Sequence, residues 1–166
     1  KMNLKDYILD VPDWPVEDVV FKDITPLLKD NDAFNYSVKL LEDLINETPG
    51  WYTPDYIVGI ESRGFIFGSY LASKMGLGFV PVRKKGKLPP PIISKAYSLE
   101  YGFDTLEIKP GNGRVVIIDD VYATGGTAKA TRELCEKAGY EVINDIYLIN
   151  LKFLNNDNVR SVLSYE

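Results

Sequence analysis

Apolar positions recur along this chain with two different periods, and the two alternate. After Asn31-Asp32, either of which can cap, Phe34, Val38, Leu41 and Ile45 fall four, three and four apart. That spacing is one face of an amphipathic helix, ending before the Thr48-Pro49-Gly50 breaker. Residues 56–60 (Tyr-Ile-Val-Gly-Ile) form a short apolar run bounded by turn residues, which predicts a buried strand. Phe67, Leu71 and Met75 resume the spacing of four, and Gly76 closes this second helix as a C-cap. Residues 78–82 return to strand character, and residues 115–118 (Val-Val-Ile-Ile) are apolar on both faces. A helix is predicted from about Thr127 to a stop at Gly139, followed by a strand over 142–151. Strands alternating with helices imply parallel crossovers. The predicted fold class is α/β, a doubly wound and mainly parallel sheet flanked by helices, with ligands at the carboxyl ends of the strands.

The remaining segments are less periodic. Residues 4–9 read as a short helix stopped by Pro12 and Pro15, residues 19–21 as an extended patch, and Asp23-Ile24-Thr25-Pro26 as a turn. Residues 84–91 are too basic and too proline-rich for either element and are predicted to form a mobile surface loop. Residues 97–101 and 105–108, separated by Gly102-Phe103-Asp104, have the alternation and turn content of a hairpin. No repeat, low-complexity tract or linker divides the chain, so residues 1–166 are read as one domain.

Composition narrows the chemistry. The chain has 166 residues, 45% of them hydrophobic, enough for one core. Nineteen Lys+Arg against 24 Asp+Glu give a net charge of −5, the wrong sign for a surface that follows phosphate backbones, so no nucleic-acid partner is expected. No apolar run approaches the roughly 18 residues of a membrane span. Lys1-Met2-Asn3-Leu4 also lacks the apolar block of a signal peptide, so no membrane partner and a cytoplasmic location are expected. The single cysteine, Cys135, excludes an internal disulfide. With no histidine, neither a His-ligated metal site nor a Ser-His-Asp triad can form, and acid–base chemistry falls to carboxylates, lysines or tyrosines.

The most informative segment runs from the apolar strand at 115–118 through Asp119-Asp120-Val121-Tyr122 to Ala123-Thr124-Gly125-Gly126-Thr127. Two glycines flanked by threonines let backbone N–H groups turn inward around an anion, and the following helix adds its positive end. A phosphate monoester fits such a loop. Asp119 and Asp120, just upstream, can accept hydrogen bonds from sugar hydroxyls or help hold Mg²⁺. The alternative is a tight turn between strand and helix with Thr127 as N-cap. Adjacent carboxylates repel each other and are rarely placed for stability alone, which favours the cradle. Neither Gly-x-x-x-x-Gly-Lys-Ser/Thr nor Gly-x-Gly-x-x-Gly occurs.

This loop, together with Phe21-Lys22-Asp23-Ile24-Thr25-Pro26-Leu27-Leu28-Lys29-Asp30, Glu61-Ser62-Arg63-Gly64-Phe65, Val82-Arg83-Lys84-Lys85-Gly86-Lys87-Leu88-Pro89 and Tyr97-Ser98-Leu99-Glu100-Tyr101-Gly102, resembles the type I phosphoribosyltransferases. Within them it is most similar to the adenine-using branch. Five blocks in one order, covering most of the chain, are far more specific than any one. The resemblance implies a small N-terminal hood over about 1–30, a core over about 31–166 and a flexible β-hairpin loop. It implies transfer of the 5-phosphoribosyl group from phosphoribosyl pyrophosphate (PRPP) to adenine, giving AMP and pyrophosphate in purine salvage, with Mg²⁺ as cofactor and a homodimer as the assembly.

The resemblance also assigns roles. It places the 5′-phosphate on Ala123, Thr124, Gly125, Gly126 and Thr127 and the ribose hydroxyls on Asp119 and Asp120, with Mg²⁺ held mainly through PRPP. Pyrophosphate falls to the turn at Ser62-Arg63-Gly64 and to Arg83, Lys84 and Lys87, the cations an otherwise acidic chain offers. Arg63 and Glu100 are the expected catalytic residues, Glu100 as general acid/base, because Ala123 stands where the 6-oxopurine branch has an aspartate. Tyr101 packs on the substrate or closes the loop. Backbone groups near Val20 and Lys22 read the base edge, and Val20 and Leu151 hold its faces. Plainer readings stand beside these: a solvated loop for Lys84, Lys85 and Lys87, an exposed hairpin residue for Glu100, core packing for Val20 and Leu151.

Three features depart from the family pattern: Lys22 in place of arginine, the stiff Pro89-Pro90-Pro91 run, and the short 109–113 connection. The rival readings are a phosphoribosyltransferase for another purine base and a PRPP-sensing regulator.

Overall fold

The computed structural model describes residues 2–47, 53–99 and 102–166. The contacts divide the chain into two units, one ending at Leu40 and one beginning at Leu41, with the division inside a helix. In the first unit a 3-10 turn at Leu4–Tyr7 leads into strand β1 (Leu9–Pro12), which pairs antiparallel with β2 (Val20–Asp23). Helices α1 (Thr25–Lys29) and α2 (Asn31–Asn46) follow.

Two features here differ from the sequence expectation. Strand β1 falls where the chain offered only a helix stop. Asp23-Ile24-Thr25-Pro26 ends a strand and starts a helix instead of making a free turn. The Asp23 carboxylate accepts from the Thr25 N–H at 2.9 Å and from its hydroxyl at 2.6 Å. Pro26 lies in the first helical turn, where a missing N–H costs nothing.

The second unit carries a seven-stranded sheet in the order β5-β6-β4-β3-β7-β8-β9. Its strands are β3 (Tyr56–Ile60), β4 (Gly78–Lys84), β5 (Ile93–Leu99), β6 (Gly102–Ile108), β7 (Gly113–Tyr122), β8 (Tyr140–Leu151) and β9 (Arg160–Tyr165). Strands β4, β3, β7, β8 and β9 run parallel, and the β5–β6 hairpin adds antiparallel at the β4 edge. Helix α3 (Arg63–Met75) connects β3 to β4, and α4 (Gly126–Ala138) connects β7 to β8.

Strand alternation assigns the faces. Val58, Ile60, Val115 and Ile117 pack with Leu134, Cys135 and Ala138 of α4. Ile57, Val116 and Ile118 point to the other face, where Gly68 of α3 comes close to Ile57. The sheet is therefore doubly wound, as the periodicity predicts. From β3 the chain moves outward to β4 and later returns to β7 on the opposite side of β3. That reversal is the topological switch point, where open α/β sheets leave a crevice at the strand ends.

Three boundaries move. Gly102, Phe103 and Asp104 belong to β6 rather than to a turn, because they pair with Leu99, Ser98 and Tyr97 across the hairpin. The proline-rich segment stays outside the ladder, but Lys84 is the last residue of β4. Thr127 is not the N-cap of α4: Gly125 is, at φ 93°, with no side-chain cap. Strand β9 and a 3-10 turn at Lys152–Leu154 complete the sheet edge.

At the switch point α3 starts hard against the end of β7. A Cβ on Gly64 would lie 2.9 Å from Asp119 Oδ1 and 3.1 Å from the Ile118 carbonyl. We predict that Gly64→Ala destabilises the protein by about 1 to 3 kcal/mol, the usual range for overpacking, as read by urea denaturation. A wild-type midpoint with unchanged slope would refute this close approach.

Candidate active site

Two loops start helices side by side at the carboxyl ends of neighbouring strands. Glu61-Ser62 links β3 to α3, and Ala123-Thr124-Gly125 links β7 to α4. The register Gly59↔Ile118 brings both ends to one level. Between them opens a cavity of about 420 Å³. One wall is Glu61, Ser62 and Arg63; the floor and the far wall run from Asp119 to Ala128. Ile60, Lys84, Tyr97 and Tyr147 complete the lining.

Positive φ explains the glycine at position 125. A Cβ there would also stand 2.5 Å from Tyr122 Oη, so a side chain is excluded on both grounds. The first N–H groups of a helix have no partner within it, and α4 has no capping side chain. Its leading N–H groups and the dipole's positive end therefore face the cavity that Gly126, Thr127 and Ala128 line.

The charges in the cleft are arranged in pairs. Arg63 Nε donates to Asp120 Oδ2, whose side chain is only 5% exposed. Asp119 Oδ1 accepts from the Asp120 N–H at 2.9 Å. Burial and the adjacent Asp120 charge push the Asp119 carboxyl well above the usual carboxylate range. Lys84 Nζ is ion-paired with Asp104 on β6, which Tyr97 Oη also approaches at 3.4 Å. The Lys84 bond, against the effect of burial, holds Asp104 low. Glu61 Oε1 accepts from Arg83 Nε at 3.1 Å and from the Lys84 N–H at 3.2 Å. Burial raises the Glu61 pKa, and these donors outweigh it, leaving the carboxyl below its ordinary value.

The sequence-predicted residues divide accordingly. Arg63, Lys84, Asp119, Asp120 and Ala123, Thr124, Gly125, Gly126 and Thr127 meet at one cavity. Arg83 is turned toward Glu61 and lies 5.9 Å over the Phe65 ring. Lys87 is exposed in the turn after β4. Val20 is exposed on β2, and Lys22 is bonded to Asp10 at 2.5 Å. Leu151 is half-buried at the end of β8. Glu100 and Tyr101 lie outside the described residues.

Glu61, Tyr97 and Tyr147 joined the cleft without a motif that singled them out as ligands. Strand order alone brings them there. Among the described residues no group of three or more acidic, Cys or His side chains could cage a metal. The donor set present, Asp119 and Asp120, suits a hard cation held by one or two carboxylates while substrate phosphates supply the rest.

Because Asp119 is driven toward its neutral form, ionising it costs the ligand-free fold stability. An acid whose folded pKa is raised destabilises the fold as pH climbs above its unfolded value of about 4. We predict that Asp119→Asn raises the melting temperature of the ligand-free protein, with a gain that grows from pH 4 to pH 7. Calorimetric melts showing a loss at pH 7, or a gain independent of pH, would contradict it.

Comparison with known proteins agrees with this geometry. Residues 27–152 match the model of the phosphoribosyl transferase domain family. An adenine phosphoribosyltransferase of Carboxydothermus hydrogenoformans is 50% identical over 99% of this chain and 100% of its own length. The crystal structure of adenine phosphoribosyltransferase from Thermoanaerobacter pseudethanolicus superposes with a TM-score of 0.88 at 43% identity, covering 98% of each chain. That of the Saccharomyces cerevisiae enzyme, complexed with an imino-altritol bisphosphate and adenine, gives 0.87 at 37% identity, covering 95% of this chain and 94% of that one. A phosphate-type loop and a cation-bearing loop facing each other at the switch point, and relatives that match over the whole length, lead to one conclusion: the chain belongs to the phosphoribosyltransferase family, in its adenine phosphoribosyltransferase branch.

Proposed function

We propose that this protein transfers the 5-phosphoribosyl group of PRPP to adenine, forming AMP and releasing pyrophosphate in purine salvage. The observation that carries the reading is the pairing of two anion-directed loops across one cleft with an acidic pair between them. PRPP has that layout: a phosphate monoester at one end, a pyrophosphate at the other, and sugar hydroxyls in the middle.

The Ala123 to Thr127 loop takes the 5′-phosphate through its N–H groups and the start of α4. Asp119 and Asp120 accept from the ribose hydroxyls. The Ser62-Arg63-Gly64 turn and Lys84 receive the pyrophosphate, with Arg83 and Lys87 reinforcing the positive potential beside it. Arg63 is held in place by Asp120 before substrate arrives. The bond between ribose C1 and pyrophosphate oxygen breaks as charge builds on the leaving group, and a purine ring nitrogen forms the new bond from the opposite face. Positioning and charge stabilisation supply the rate. Asp119 and Asp120 would help hold a Mg²⁺ that enters with PRPP, and the ion would supply positive charge against the leaving pyrophosphate.

Adenine loses its ring N–H proton on bond formation. Glu100 is the proposed acceptor, and Tyr101 packs on the substrate or closes the loop. Val20 and Leu151 hold the faces of the base, and the backbone near Lys22 reads its edge. The protein acts in the cytoplasm as a homodimer. None of the described helices is long and apolar enough to cross a membrane.

With Mg²⁺ and PRPP present, adenine is expected to give AMP at least about a hundredfold faster than hypoxanthine, guanine or xanthine give their nucleotides, the discrimination a hydrogen-bonding site imposes. Preference for an oxopurine would overturn the adenine assignment. Glu100→Gln is expected to lower kcat by about 10² to 10⁴ while leaving the KM for PRPP nearly unchanged. Unchanged turnover would remove Glu100 from the chemistry. Asp120→Asn is expected to raise the KM for PRPP, and wild-type rates at limiting PRPP would exclude that role.

A further inference from the structure

The segment after β8 contains a contact that motif reading does not reach. Residues 152–158 are exposed except Asn155, which is half-buried. Its Nδ2 donates to the Ala123 carbonyl at 2.8 Å, to the Leu151 carbonyl at 3.0 Å and to Asn150 Oδ1 at 3.1 Å. Two of these partners are backbone carbonyls, which only accept, so the amide can face them only with its NH₂. Its Oδ1 accepts from the Asp157 N–H at 3.1 Å. Asp157 Oδ2 in turn accepts from Tyr122 Oη at 2.6 Å, and that hydroxyl is the atom a side chain at Gly125 would strike. Residues 122 and 123, where the strand becomes the loop, are thus both tied to 155–157.

The direction of these bonds matters for the loop. The peptide between Ala123 and Thr124 is not among the cis bonds of the chain. A trans peptide points its C=O and N–H to opposite sides. Asn155 and Asp157 do not line the cleft, whereas Ala123 and Thr124 do. Pulling the Ala123 carbonyl toward Asn155 turns the Thr124 N–H away from Asn155 and toward the anion site.

We propose that Asn155 and Asp157 are positioning residues that aim the loop's N–H donors at the 5′-phosphate before it binds. This rests on the assignment of the loop to that phosphate. Preorganised donors bind without the cost of ordering a flexible loop. Asn155 also bonds the Leu151 carbonyl, so the same side chain ties the phosphate loop to the residue proposed to hold the base.

The test compares wild type with Asn155→Ala, with Asn155→Asp, which keeps the shape but presents an acceptor to the Ala123 carbonyl, and with Tyr122→Phe, which removes one oxygen. Steady-state kinetics give kcat and the KM for PRPP and adenine; calorimetry gives affinities for AMP and for pyrophosphate alone. Asn155→Ala is expected to raise the PRPP KM and weaken AMP by about tenfold, the upper range for one hydrogen bond. kcat and pyrophosphate affinity should stay within about twofold of wild type, since neither reads ground-state phosphate binding. Asn155→Asp should be worse and Tyr122→Phe milder. Unchanged AMP affinity in all three variants overturns the proposal, and so does an equal loss of AMP and pyrophosphate, which marks general loosening. If Asn155→Ala does not fold, Tyr122→Phe reads the same split. A wild type that makes no AMP from adenine and PRPP refutes the reaction, while the two titrations still decide the positioning role.

Discussion

The closure of the Arg63 guanidinium on the Asp120 carboxylate is the interaction on which the cleft depends. Asp120 lies near the end of a buried strand, where an ionised carboxylate is costly without a partner. Arg63 comes from the first turn of a helix that starts on the neighbouring strand, and it reaches Asp120 only because Gly64 lets that helix press onto β7. One ion pair thus fixes the spacing of two loops that are 57 positions apart in sequence. The neighbouring acid feels the same crowding: Asp119, half-buried beside Asp120, is pushed toward its neutral form by desolvation and by the adjacent Asp120 charge.

The same logic extends outward. The acidic chain concentrates cations near the cleft and gives each a carboxylate: Asp120 for Arg63, Glu61 for Arg83, Asp104 for Lys84. These pairings hold long side chains in place, which isolated surface ion pairs do poorly, because each carboxylate is anchored on a strand or at a strand end and is itself buried or half-buried. A polyanion entering this cleft would meet cations whose entropy of ordering has already been lost during folding. The cost appears in the ligand-free state, where acids and cations crowd a single crevice.

The glycine loop at 123–127 was legible because its pattern is local. Two glycines between threonines, after an apolar strand and before a helix, need no distant partner to be read. The hairpin shows the opposite. Gly102-Phe103-Asp104 carries turn residues, yet Asp104 is drawn into β6 by pairing with Tyr97 and by Lys84, which arrives from a strand that alternation could not align with it. Likewise Asp23-Ile24-Thr25-Pro26 has turn composition, and the decision for a helix start came from how the Asp23 carboxylate satisfied the Thr25 donors.

The amino-acid sequence by itself determined the alternation of strand and helix, the doubly wound sheet, the anion-directed loop and its acidic neighbours, because each follows from side-chain period and backbone freedom within about a dozen residues. The tertiary structure alone decided which loops face each other. Strand order placed β3 beside β7, so that Arg63 met Asp120, and β4 beside β6, so that Lys84 met Asp104. It also brought Asn155 behind Ala123, at the far end of β8 from the helix that the loop begins. Such meetings depend on register and packing between distant segments, and no local pattern encodes the partner of a charge or of an amide.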